Sequence, residues 1–348
     1  MMKSSSSQLY SLPIQITVLF ALLATTFLVA LGAGRYAISY NTVLSILGEN
    51  LFFFDITPEW KQVEERVVEL VRLPRILVAG LVGATLSISG AALQGMFRNP
   101  LVGPKIIGVS SGAGFGGVVA IMFRLPDVFI PVLSTIFGIV AIICTLFIAR
   151  SGHRTSLLAL VLGGVVTGGF FTALVSLVKY IADPDDVLPE IVYWLLGSFN
   201  ESSYTDVLYV ALPLLVAGTV VYRMRHTINI LSLGEEEAQT LGVDVRKSRW
   251  ILMIMTAILV ASSVSVSGVI GWVGLIIPHF ARMVCGPNHV SLIPISALTG
   301  AIYMIAVDTL ARTASYGEIP IGVLTALVGA PVFAWLLHKT GAGRLGRD

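Results

Sequence analysis

Charge is what this sequence has least of. Asp, Glu, Lys and Arg together make up 12% of its 348 residues, against roughly 25% in an ordinary soluble domain. That shortage, beside 55% hydrophobic residues, excludes a water-soluble globular protein. A net charge of only +2 argues against nucleic acid as a partner. There are two cysteines, Cys144 and Cys285, both within apolar runs; they read as small core residues with no disulfide or metal role. No G-x-x-x-x-G-K-[ST] occurs, so the chain cannot bind ATP through a P-loop of its own. Strand-like alternation is also missing. In lipid every backbone polar group must be satisfied internally, so helices rather than a barrel are expected.

What is present is a series of apolar blocks about 20 residues long, enough to cross a hydrocarbon core of about 30 Å. The expectation is an all-α polytopic membrane protein forming a single transmembrane domain over residues 1–348. Ten transmembrane helices are read at about 13–34, 76–96, 106–123, 128–149, 157–178, 207–222, 250–267, 269–285, 292–310 and 321–338. The first block is too long for a typical signal-peptide core and is expected to be retained. Ten spans put both termini on one side, together with Lys3, Arg98, Lys105, Arg150, Arg154, Arg223, Arg225, Arg246, Lys247, Arg249, Arg282, Lys339, Arg344 and Arg347. The other side holds fewer cations, so the positive-inside rule makes the termini cytosolic.

One long polar interval breaks the apolar second half, from Arg223 to Arg249. Ser232 and Glu235 have capping-box spacing. Glu235, Glu236 and Glu237 then favour the positive end of a helix dipole, and Gly242 stands where a left-handed C-cap is wanted. The spacing predicts a cytosolic helix over about 233–241. It is too short to be stable alone, so its own chain or a partner must cover it.

The outer surface reads as acidic, with its longest loop over about 35–75. A second outer segment, 183–206, has an apolar centre near Trp194 that suits a short helix at the bilayer interface. A faint echo links S-I-S-G at 87–90 with S-V-S-G at 265–268, with Pro100 matching Pro278 and Gly108 matching Gly286. As a repeat it would be inverted in the membrane, because its copies start in spans two and seven. Chance matching among 34 glycines is the rival explanation.

Other motifs have bland and functional readings. G-A-G-F-G-G at 112–117 fits a dinucleotide-binding pattern but lacks the strand and acid that pattern needs; small residues that let membrane helices approach are the better account, also at Gly164 and Gly168. Asp308, the sole acid in the ten spans, lies four residues from Arg312, and His279 lies three from Arg282. Intramembrane ionisable groups are functional candidates by default, yet the Asp308–Arg312 spacing favours a structural ion pair over proton coupling. Arg72 and Arg75 flank Leu-Pro before span two, and suit either interfacial anchoring or docking of a partner's carboxylates. R-N-P-L at 98–101 breaks the chain on the cytosolic side, as a tight turn or as a constriction on a transport path.

Taken together, the residues from Arg72 to Leu337 resemble the FecCD-type permease family, the permease subunits of ABC importers for iron–siderophore complexes, haem and vitamin B12. The resemblance is carried by R-L-P-R at 72–75, S-G-A-A-L-Q-G-M-F-R-N-P-L at 89–101, G-V-S-S-G-A at 108–113, W-L-L-G-S at 194–198, L-S-L-G-E-E-E-A at 231–238, G-W-V-G-L-I-I-P-H-F-A-R at 271–282, E-I-P-I-G at 318–322 and G-A-P-V-F at 329–333. It implies a type II ABC importer permease architecture in the bacterial cytoplasmic (inner) membrane. The subunit would work as a homodimer, with two ATPase subunits holding ATP and Mg and an extracytoplasmic substrate-binding protein; this chain itself would hold no cofactor and catalyse nothing. Residues 231–242 would match the family's coupling helix, giving Ser232, Leu233, Gly234, Glu235, Glu236, Glu237, Ala238, Leu241 and Gly242 a role at the ATPase. Arg72, Arg75 and Arg312 would match arginines that dock the binding protein, and Asn99 and Leu101 the inner gate. Gly103 and Lys105 stand where the family commonly has an acid and an aromatic, so that loop does not identify the ligand.

On this reading the short helix is a lever moved by the partner's nucleotide cycle, beside a path with apolar or polar-neutral walls. A ferric siderophore is the first expectation for cargo, ahead of haem, cobalamin or a small oxyanion. An ion-gradient-driven secondary transporter and a non-transporting receptor or scaffold are the alternatives.

Overall fold

The computed structural model describes residues 12–52, 60–149, 157–315 and 317–341, and these are helical with no strand among them. In chain order the helices are α1 (Leu12–Gly32), α2 (Tyr40–Phe52), α3 (Gln62–Phe97), α4 (Val109–Met122), α5 (Phe129–Ile148), α6 (Leu157–Ile181) and α7 (Val187–Leu196). They continue as α8 (Tyr204–Arg223), α9 (Arg225–Leu231), α10 (Glu235–Thr240), α11 (Val245–Ser267), α12 (Val273–Cys285), α13 (His289–Thr313) and α14 (Ile321–Gly341). Lys3, Arg150, Arg154, Arg344 and Arg347, used above for orientation, lie outside the described residues.

α3 is the axis of the bundle, buried from Pro74 to Phe97 almost without interruption. It packs most extensively on α13, and also on α11, α12 and α8. Lipid tails are as apolar as leucine, so membrane helices associate through close packing rather than a hydrophobic driving force. The contacts show it: Gly83 of α3 faces the Gly300 backbone of α13, and Gly90 faces the Gly274 backbone of α12, each leaving no room for a Cβ. α4, α5 and α6 form a second group, joined to the first through α11. The glycine run at 112–117 lies inside α4, where Gly112 and Gly116 abut the α5 backbone and Gly117 sits under the Trp194 ring. It is a packing surface. α1 is the opposite case, an apolar helix with exposed Ile14, Val18, Phe20 and Leu22 and few buried residues.

Among the described residues, seven helices are long and apolar enough to cross a membrane. The other expected spans fall on shorter apolar stretches, α4, α12 and the 321–335 part of α14. At 1.5 Å per residue, the 13 residues of α12 reach roughly 20 Å, short of the bilayer core. A count of ten crossings is therefore not a property of helix length here.

Three expectations need correction. The segment expected as a loop at 35–75 contains α2 and the first turns of α3, which starts at Gln62 rather than near Ile76. This part of α3 carries a π turn over Val67–Arg72, next to Pro74, whose missing N–H interrupts the helical ladder. α8 has the same pairing, Pro213 followed by a π turn over Leu214–Gly218. The span expected at 269–285 begins only at Val273, because Gly268 at φ +65° ends α11 and residues 268–272 are irregular. Finally, the echo between 87–90 and 265–268 pairs unlike structure: Gly90 is in the middle of α3, whereas Gly268 terminates a helix. At that register the two segments are not equivalent.

Candidate functional site: a half-open cleft and a projecting helix

Two irregular segments meet on one face of the bundle. The first leaves α3 at Arg98, in the left-handed region at φ 54°. Asn99 Oδ1 then accepts the Leu101 N–H at 2.9 Å, fixing the turn. A 3₁₀ turn over Pro104–Ile107 follows, and Gly108 at φ +80° passes into α4. The second segment is 268–272, ending at Trp272 with φ 70°. A non-glycine residue in that region is strained and is held there by its surroundings; the Trp272 ring sits edge-on to Phe333 at 6.0 Å. The segment is tied down by backbone bonds from Ser198 N–H to Ser267 O at 3.1 Å and from Ile321 N–H to Gly197 O at 2.9 Å. Those bonds join the ends of α7, α11 and α14.

Between these segments opens a cleft of about 900 Å³, walled by Leu101, Leu196, Ile270, Trp272, Leu275 and Phe333 among others. Irregular backbone at membrane depth is tolerated where it is buried in protein or lines a cavity, and both breaks do so. Of the two residues expected at an inner gate, Leu101 stands in the wall with 42% of its surface exposed. Asn99 is absent from the wall, and its side chain fixes the turn that presents Leu101. The sequence reading missed Trp272 as a wall residue, because 269–285 reads as continuous apolar helix; Gly268 and Gly271 just before it were the available signal.

The short polar helix exists, but two residues shorter at its start and one at its end than expected. α10 runs from Glu235 to Thr240 with Gly234 at the N-cap. Ser232 is not the cap. It closes α9, donating its hydroxyl to the Asn229 carbonyl at 2.6 Å, so the capping box is not formed. The C-terminus is as expected: Gly242 has φ +81°, its N–H bonds Gln239 O, and the Val243 N–H bonds Ala238 O, the paired bonds of a Schellman motif. Ala238 is fully buried, while Leu233 and Leu241 are 61% and 59% exposed. Glu235 holds Arg249 of α11 at 3.1 Å, and Glu236 and Glu237 face outward. The helix thus projects an apolar and acidic surface while remaining fastened to a long helix.

The three arginines expected to dock a partner are buried. Arg72, Arg75 and Arg312 expose 4%, 6% and 5% of their surface. Arg72 donates to the carbonyls of Leu31, Gly32 and Tyr36, and Arg312 to those of Ala30 and Ala33. Arg75 grips Asp308 and reaches Glu318 at 3.0 Å. Asp308 thus takes Arg75 as its main partner, with Arg312 Nε farther off at 3.7 Å. At the opposite ends of α3 and α12, Arg282 donates to Gln94 Oε1 at 3.0 Å, and Gln94 Nε2 to the Leu275 carbonyl.

The chain has close relatives of nearly its own length. It is 44% identical over 322 residues to the molybdate import system permease protein MolB of Haemophilus influenzae, covering 92% of this chain and 94% of the relative. It is 43% identical over 285 residues to the cobalamin import system permease protein BtuC of Halobacterium salinarum, covering 81% and 75%. Among solved structures, one described as an inward-facing conformation of a metal-chelate type ABC transporter superposes with a TM-score of 0.84 at 43% identity, covering 94% of this chain and 99% of that one. The model of the FecCD transport family matches residues 22–339. This chain therefore belongs to the FecCD transport family: it is a multi-pass membrane permease of an ABC-type importer and not an enzyme.

Proposed function

We propose that this chain is one of two identical transmembrane subunits of an ATP-driven importer in the bacterial cytoplasmic membrane, with both termini cytosolic. A separate ATPase, carrying ATP and Mg, docks on α10, and a soluble binding protein delivers cargo to the opposite face. The observation that carries this reading is the cleft, walled by two breaks in the helical scaffold and only partly enclosed, as half of a path completed by a second copy would be. Leu101, on the turn fixed by Asn99, narrows it. The lever is Ser232 to Gly242, with the exposed Leu233, Leu241, Glu236 and Glu237 as the surface offered to the ATPase. A docking role for Arg72, Arg75 and Arg312 requires their internal bonds to open first, so exposed groups around them make the first contact.

The cargo is a metal-containing species. The family resemblance favours a ferric siderophore, haem or cobalamin, and the molybdate permease adds a metal oxyanion. The ion-gradient alternative gains no support: Asp308, the one acid in the expected spans, is locked between arginines.

Reconstitution of the full chain with its ATPase and binding protein tests the reading. Vanadate-sensitive uptake is expected, and converting Glu235, Glu236 and Glu237 together to Lys is expected to abolish it while the protein still purifies as a folded complex. Normal uptake by that triple variant would remove the lever; vanadate-insensitive uptake that collapses with an ionophore would replace ATP with an ion gradient.

A further inference from the structure

The wall of the cleft is not electrically neutral. Its lining residues include no carboxylate and a single ionisable side chain, Lys105, on the 3₁₀ turn that follows Leu101. Lys105 is exposed and makes no ion pair with any described residue. A lysine at a membrane helix end ordinarily snorkels towards headgroups. This one faces a cavity, beside a second polar group: Ser110 is 94% buried by its 6% relative exposure, lines the same cleft, and has no hydrogen-bond partner among the described residues. Its hydroxyl is therefore available to bond a molecule held in the cleft. Three helices also begin at the wall: α4 at Val109, α12 at Val273 and α14 at Ile321, with Ser110, Gly274 and Gly322 in their first turns. Helix N-termini carry partial positive charge that favours an anion; the first N–H of α12 and of α14 is already bonded, to Gly271 O and Gly197 O, so at those two ends the dipole acts without that donor. The contrast lies elsewhere in the molecule, where a cavity of about 510 Å³ is lined by Asp127, Glu190, Glu201 and Asp206; it shares no wall residue with the cleft.

We propose that the cleft selects an anionic cargo, a metal oxyanion or a negatively charged metal chelate, and that Lys105 and Ser110 are the side chains that set this preference. The inference rests on the transport reading and narrows its substrate class. With no acid in the wall, a cationic complex finds no counter-charge, and a neutral one leaves the Lys105 ammonium unpaired.

Binding to the full-length chain in lipid nanodiscs, without ATPase, tests it by equilibrium dialysis with three labelled probes: molybdate, the trianionic ferric tricatecholate and a neutral ferric trihydroxamate. The expected result is saturable binding of at least one anionic probe and weaker binding of the neutral one; which anion binds separates oxyanion from chelate. Lys105→Gln is expected to weaken the anion about tenfold, the order set by one charge-assisted hydrogen bond, and Lys105→Arg to retain most of it. Ser110→Ala is expected to weaken it by about threefold. Equal or tighter binding of the neutral probe, no anion binding at all, or an unchanged Lys105→Gln would overturn the proposal. Because the assay needs no nucleotide, it fails separately from the importer reading: an importer with vanadate-sensitive uptake and a charge-indifferent cleft loses only the anion preference.

Discussion

Arg75 and Asp308, 233 residues apart in the chain, form a forked ion pair between α3 and α13. Nε lies 2.9 and 3.1 Å from the two carboxylate oxygens, and a terminal nitrogen lies 2.7 Å from the first. Both groups are buried, and the same terminal nitrogen of Arg75 also lies 3.0 Å from Glu318. Three arginines and two acids share this cluster, and the surplus positive charge of Arg72 and Arg312 falls on the last carbonyls of α1, the negative end of a helix dipole.

Removing one member of such a pair leaves an uncompensated buried charge, which costs about 3–5 kcal/mol. Asp308→Ala is expected to lower the unfolding midpoint of the purified protein sharply. The double variant Arg75→Met with Asp308→Leu is expected to recover much of the loss, since apolar replacements of a buried pair are often neutral or better. Thermal unfolding of the three proteins side by side checks it. A double variant no better than the single would mean that the charge itself, not its pairing, holds the helices.

The clasp on α1 makes a local prediction. α1 buries few residues, so the arginine bonds to its final turn carry an unusual share of its attachment. Cations at a partly buried helix C-terminus contribute up to about 2 kcal/mol each. Arg72→Ala and Arg312→Ala combined should loosen α1 before the rest of the bundle, seen as faster hydrogen exchange over 24–33 with the interior of α3 unchanged.

The apolar helices were legible from the sequence because a bilayer demands long uninterrupted blocks, and α5, α6 and α13 lie close to the expected spans. The start of α3 was not legible. Its charges look like loop until Asp308 and the end of α1 supply partners, and those partners are far away in sequence. The same physics hid the internal bonds of Arg72, Arg75 and Arg312, whose flanking positions suggested exposed groups. The helix break at 268–272 and the cleft that depends on it were missed for a different reason. Apolar composition alone does not distinguish a helix from a buried irregular segment, and only Gly268 and Gly271 marked the difference. At α10 the Gly242 terminus was readable because a left-handed C-cap is a local requirement. The Ser232 cap failed because α9, just upstream, took that hydroxyl for its own end.

Gly242 therefore offers a clean conformational test. A Cβ there meets nothing within 4 Å, so substitution costs only the positive φ. Gly242→Ala is expected to destabilise the end of α10 by about 1–2 kcal/mol, the left-handed penalty for an L-residue, and Gly242→Asn by less. Hydrogen exchange at the Val243 amide, which closes the Schellman motif, reads the difference directly.

The last prediction separates stability from coupling at the same helix. The Glu235–Arg249 pair joins α10 to α11, but the Glu235 side chain is 45% exposed, so screening limits its worth to about 1 kcal/mol or less. Six residues are too few to hold a helix by themselves. α10 keeps its place through buried Ala238, its C-cap bonds and this one ion pair. If α10 is a lever, a push on it must reach α11 through those attachments. Glu235→Gln is then expected to leave the unfolding midpoint almost unchanged while lowering the cargo moved per ATP hydrolysed in the reconstituted importer. Arg249→Gln should match it in coupling and exceed it in lost stability, because Arg249 is buried where Glu235 is not. Full coupling in Glu235→Gln would show that the force passes through Ala238 and the backbone, and that the ion pair is incidental to transport.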